Sequence, residues 1–105
     1  MKLKLPNDLT QSEYSLARQC GYLPIKDRIS EKKSYIRKLS QQRYPRFHLY
    51  IYPFSEKETV FDLHLDQNVN RYEGQKAHNA DYESAEVKEE LFRIYKVAKQ
   101  FINKA

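Results

Sequence analysis

The stretch "FHLYIYPFSEKETVFDLHLDQ", residues 47–67, decides the fold. Phe47, Leu49 and Ile51 alternate with His48, Tyr50 and Tyr52; further on, Phe61, Leu63 and Leu65 alternate with Asp62, His64 and Asp66. A period of two with one apolar and one polar face is the pattern of a β-strand lying on a core. The polar run "PFSEKE" between the two halves has the length of a hairpin loop, and Pro45 stands just before the first strand, where a missing N–H is harmless.

The two apolar faces must fall on the same side of the sheet, because a slip of one residue would turn Phe61, Leu63 and Leu65 into water. The register that closes most naturally around the loop sets Phe47 against Leu65, Leu49 against Leu63 and Ile51 against Phe61. On the other face it sets Arg46 against Asp66, His48 against His64 and Tyr50 against Asp62. A register displaced by two keeps the same residues on that face and moves the histidines to a diagonal. In the first register the two imidazoles have Cβ atoms about 4.5–5.5 Å apart.

Working outward, the runs 22–28 and 33–39 are β-prone and flank a polar turn, which predicts a second hairpin with Pro24 at an edge or strand start. Before it, Thr10-Gln11-Ser12-Glu13 fits a capping box, with Leu9 and Tyr14 at the staple positions and Gly21 placed to end the helix, so a helix is expected over about 11–20. At the other end, Val87, Leu91, Ile94, Tyr95, Ala98, Phe101 and Ile102 make one continuous helical stripe, predicting an amphipathic helix over about 84–103. Its acidic residues gather at the start and its lysines at the end, as the helix dipole favours. The irregular segment 68–83 reads as a surface loop carrying the third histidine, His78. The expectation is a single α+β domain over 1–105. A four-stranded antiparallel sheet of two hairpins carries an N-terminal helix and a long C-terminal helix packed on one face.

At 105 residues the chain has room for one core. Its one cysteine, Cys20, fits a reducing, cytoplasmic setting better than a disulfide-stapled one, and the start lacks the apolar core of a signal peptide. No apolar run reaches membrane-spanning length, so no membrane association is expected. The net charge of +5 is uneven. Residues 1–46 hold eleven Lys and Arg against four Asp and Glu, while residues 47–105 hold eight against ten. A basic half attracts polyanions at long range, although a solvated lysine-rich surface produces the same count.

Chemistry concentrates on the polar face of the central hairpin. His48 and His64 near Asp66 could act as acid and base, or could hold a divalent transition metal, with His78 closing from the loop. His64-Leu65-Asp66 matches the H-x-D part of the facial triad of non-haem iron oxygenases, but those enzymes take their distal histidine from a larger double-sheet barrel than this chain can build. The plain alternative is a solvated sheet face on which His, Tyr, Asp and Arg are ordinary tenants. Nucleic-acid recognition has looser ingredients: Arg37, Lys38, Arg43 and Arg46 interleaved with tyrosines, followed by Tyr50 and Tyr52 on the polar face. Cations hold phosphates and rings stack on bases.

The words "YPRFHLYI", "FDLHLDQ" and "YEGQKAHNADYES" resemble those of a small family of uncharacterised bacterial proteins, over about residues 20–95. The resemblance implies a compact single domain and brings no activity. Three functions stay open at this point. The first is a nucleic-acid-binding accessory domain taking RNA or single-stranded DNA. The second is a small metal-dependent or histidine-assisted phosphodiesterase or nuclease, with His48, His64 and Asp66 as catalytic groups. The third is a protein-interaction module. The oligomeric state is not legible.

Overall fold

A computed structural model of the chain describes residues 1–26, 33–69, 78–81 and 84–102. The elements run β1 (Lys2–Pro6), α1 (Glu13–Gln19), β2 (Leu23–Ile25), β3 (Lys33–Lys38), β4 (Arg46–Pro53), β5 (Glu58–Val69), β6 (His78–Asp81) and α2 (Ala85–Ala98), followed by a 3-10 turn, Lys99–Phe101. The sheet is antiparallel, in the order β1-β5-β4-β3-β2, with β6 also on β5. The α+β class and the C-terminal helix match expectation. The strand count does not: β1 and β6 join the four strands of the two hairpins.

Both added strands use the edge of β5 that faces away from β4. β1 pairs with Glu58–Asp62, and β6 reaches Leu65, Asp66 and Val69 beyond a register shift. The alternation in "KLKLP" is a strand signal, since Leu3 and Leu5 lie opposite Phe61 and Thr59 and point to the core. His78 therefore stands on a strand and not in a free loop, with its backbone paired to Val69. The remainder of the expected 68–83 loop lies outside the described residues, apart from Asn68 and Val69 at the end of β5 and the four residues of β6.

The central register is the one expected. Arg46 pairs with Asp66, Phe47 with Leu65, His48 with His64, Leu49 with Leu63, Tyr50 with Asp62 and Ile51 with Phe61. Leu49, Ile51, Phe61 and Leu63 are fully buried, in one cluster with Val87, Leu91, Ile94 and Ala98 of α2 and Leu16, Ala17 and Cys20 of the α1 segment. Each such side chain is worth about 1.5–3 kcal/mol removed from water, which fixes both helices on this face.

The start of α1 differs from the capping box expected at Thr10. Ser12 is the N-cap, its hydroxyl accepting the amide of Ser15 at 3.1 Å. The Thr10 amide instead donates to Phe101 O at 2.7 Å, and Leu9 bridges to Ile102, so the chain before α1 is tied to the end of the molecule. Tyr14, expected as a staple, is exposed. Gly21 does close the helix in the left-handed region, at φ 91°. At the other end the helix expected over 84–103 tightens into a 3-10 turn after Ala98, with Ser84 as its N-cap.

A buried polar knot joins the helices to β2 and β3. The Tyr22 hydroxyl donates to Glu90 at 2.6 Å, and Arg93 grips both oxygens of that carboxylate at 2.7 and 2.8 Å while also donating to Cys20 O at 2.6 Å. Arg37 adds its charge at 3.5 Å. Burial, reinforced by the neighbouring Glu90 charge, pushes the Tyr22 phenol far above its ordinary range.

Candidate metal centre

The second face of the sheet is not the wet surface that period-two alternation suggests. His48 is 8 % exposed, His64 7 %, Asp66 2 % and Ser34 3 %. Polar groups at that depth are costly unless they are paired, and these are paired with one another. Ser34, His48, His64 and Asp66 thus form a buried polar patch within this face, while Arg46, Tyr50, Tyr52 and Asp62 around it are half-buried.

Asp66 is its hub. Oδ1 lies 2.8 Å from His64 Nε2, while Oδ2 lies 3.3 Å from His48 Nδ1 and 3.2 Å from Arg46 Nε. The other nitrogen of His48, Nε2, is hydrogen-bonded to the hydroxyl of Ser34 from β3. Tyr50 stacks on His48 with ring centroids 4.4 Å apart and reaches His64 at 5.9 Å, and the two imidazoles are 4.8 Å apart. Burial by itself would raise the Asp66 carboxyl. Hydrogen bonds from His48 and His64, together with their charge, outweigh it and hold the group well below the usual carboxylate range.

The pleat explains the convergence. His48 and His64 are direct register partners across β4 and β5, and Asp66 is two residues along from His64, hence on the same face. His48, His64 and Asp66 each offer one ligand atom, and these atoms lie within 4.8 Å of one another. Donor atoms around one tetrahedral ion at 2.0–2.2 Å from it are roughly 3–3.5 Å apart, so closing on an ion draws the widest pair in by about an ångström. Ser34 would then hold the remaining nitrogen of His48, the outer-shell role that ligating imidazoles ordinarily have filled.

The other expected residues divide. Arg46, Tyr50 and Tyr52 are on the site face, and each is engaged there: Arg46 with Asp66, Tyr50 on the imidazoles, and Tyr52 by a long bond, 3.4 Å, to Asp62. Asp62 also faces the Met1 ammonium at 3.9 Å. Lys38 lies opposite Arg46 and is exposed. Arg43 is exposed on the β3–β4 turn, over the Tyr44 ring at 5.7 Å, with Arg46 over the same ring at 4.8 Å. Arg37 belongs to the opposite, helix-covered face, where it pairs with Glu90, so the expected basic surface does not include it. The backbone of His78 comes within two residues of Ala80, the register partner of Asp66, and its side chain lies outside the description.

Ser34 was not among the expected site residues. Its signal was parity: once Tyr35 is placed in the core opposite Leu49, Ser34 must share the face of His48.

Comparison of the chain with protein-family models, with curated proteins and with solved structures finds no match. No described helix is long and apolar enough to cross a membrane.

Proposed function

We propose that His48, His64 and Asp66 form a mononuclear divalent-metal centre, with His48 ligating through Nδ1 and His64 through Nε2. The observation that carries this reading is the convergence of three ligand-bearing side chains from two adjacent strands on one buried point. Two imidazoles and one carboxylate suit zinc, iron(II), nickel or manganese. Three protein ligands leave a coordination position open, the arrangement of catalytic rather than closed structural sites. The chemistry such a site supplies is Lewis-acid polarisation and the activation of water, so the centre is read as hydrolytic.

The experiment is titration of metal-stripped protein with Zn²⁺, Ni²⁺ and Mn²⁺, followed by calorimetry and melting temperature. One equivalent should bind and stabilise the fold, because an ion that prefers the native state raises its stability by mass action. His48→Ala and His64→Ala should each remove the effect while leaving a cooperative melt. Binding that survives both substitutions, or no binding by wild type, would sink the reading.

A further inference from the structure

The site sits at one end of the β3–β4 hairpin, and that end is cationic. Lys38 and Arg46 are register partners beside the β3–β4 turn, and Arg43 projects from the turn with Arg46 over the same tyrosine ring. Asp66, opposite Arg46 on the next strand, is the carboxylate that Arg46 meets at 3.2 Å. Asp62, four residues back along β5, is matched by the Met1 ammonium and the Tyr52 hydroxyl. The acidic start of α2, Glu86 and Glu89, lines a hollow with Leu39 and Phe47, and Phe47 belongs to the other side of the sheet.

Charge accounting then limits what the open position can take. Asp66 and Arg46 cancel, and imidazoles ligate in the neutral form. A divalent ion therefore adds two positive charges that no further carboxylate among the described residues of the cluster offsets, in a patch where Asp66 is 2 % exposed. Isolated charge at that depth is expensive and calls for an anion. Lys38 and Arg43 at the rim add to the same sign. A carboxylate supplies one negative charge on a planar group. A phosphate group supplies up to two, on tetrahedrally placed oxygens that reach an ion and a guanidinium together.

We infer that the exogenous ligand of the His48–His64–Asp66 centre is a phosphate ester, one oxygen at the open position and the others toward Arg46, with Lys38 and Arg43 placed for neighbouring phosphates of a chain. The inference rests on the metal reading above. The reaction would be hydrolysis: the oxygen of a water held beside the bound ester bonds to phosphorus, the ester P–O bond breaks, and the proton released by the water ends on the departing alcohol. No oxidant or reductant is required.

Cobalt(II)-loaded protein gives a readout independent of turnover. Inorganic phosphate at millimolar concentration should shift the visible bands of the bound ion and saturate, while acetate should need about tenfold more. A single-stranded oligonucleotide should bind, and the exposed pair Lys38→Gln/Arg43→Gln should weaken it about tenfold and lower its logarithmic salt slope by about 1.4, without changing cobalt affinity. A mononucleotide should lose less than about twofold in that variant, since it reaches only the ion and Arg46. Equal losses for both ligands would assign the rim to free phosphate esters and overturn the chain-phosphate part of the proposal. Cobalt that binds but ignores phosphate would overturn the inference and leave the metal centre standing. Failure to bind cobalt, zinc or manganese at all would remove the metal reading and this one with it.

Discussion

Ser34 and His48 share a hydrogen bond across the β3–β4 pair, and it occupies the one imidazole nitrogen of His48 that Asp66 does not face. That bond aims Nδ1 at the carboxylate and fixes which nitrogen is free to ligate. Ser34→Ala should therefore weaken metal binding by about 10–100-fold while leaving its stoichiometry at one, as outer-shell losses usually do. Ser34→Thr keeps the hydroxyl on a residue suited to strands and should recover most of the affinity. Calorimetric titration of the two variants side by side checks this, and equal affinities in both would show that the hydroxyl does not orient the ring.

Leu91 is buried within the cluster that joins α2 to the sheet. Replacing it with Ala should cost about 2–5 kcal/mol in chemical denaturation, as large-to-small substitutions in cores do. A loss of a few tenths would mean that α2 does not dock on the apolar face.

The buried Tyr22 phenol gives a pH prediction. Its folded pKa is raised above the unfolded value near 10. Below that value both states keep the proton and stability is flat. Above it the unfolded chain releases a proton that the folded chain retains, so stability falls with rising pH by about 1.4 kcal/mol per pH unit from this group. Cys20, also raised by burial, bends the curve the same way from a somewhat lower pH. Tyr22→Phe should make the alkaline limb measured by urea unfolding between about pH 9.5 and 11 shallower, the remaining slope coming from Cys20 and from Tyr35, which burial also raises. It should also lower stability near neutrality by about 1.5–3 kcal/mol, since a bond to the buried Glu90 carboxylate is lost. An unchanged alkaline slope in that variant would place the proton linkage elsewhere.

The central hairpin was legible because parity and loop length act together: one buried face forbids an odd slip, and the short loop favours one of the even registers. Parity alone puts His48, His64 and Asp66 on one face. It does not reveal that these three are buried, since alternation reports polarity and not depth. The start of α1 misled for a different reason. Thr10 has the better capping sequence, but its amide is engaged by Phe101 O from the far end of the chain, and the cap passes to Ser12. Likewise β1 has little strand signal beyond Leu3 and Leu5 and exists because β5 offers an open edge. Arg37 looked like a member of the basic surface until the pleat turned it toward Glu90.

Asp66 carries two loads, and substitution can separate them. As the hub of a buried network it neutralises Arg46, whose side chain is 13 % exposed against 3 % for the carboxylate. As a ligand it completes the three-residue set with the two histidines. Asp66→Ala removes the hub and leaves a mostly buried guanidinium without its counter-charge, which should cost about 3–5 kcal/mol. Arg46→Met together with Asp66→Leu removes both charges and should return most of that stability, because replacing a buried pair by apolar side chains is often neutral. Neither variant should bind metal. A chemical-denaturation cycle over wild type, Arg46→Met, Asp66→Leu and the pair reads the first role, and calorimetry on the pair reads the second. Costs that simply add, with no coupling beyond about 0.5 kcal/mol, would mean that Arg46 and Asp66 do not sense one another. Metal binding retained by the folded double variant would place the ligands somewhere other than Asp66. The stability result stands whether or not the ion binds, so the architecture of this face can be judged separately from its chemistry.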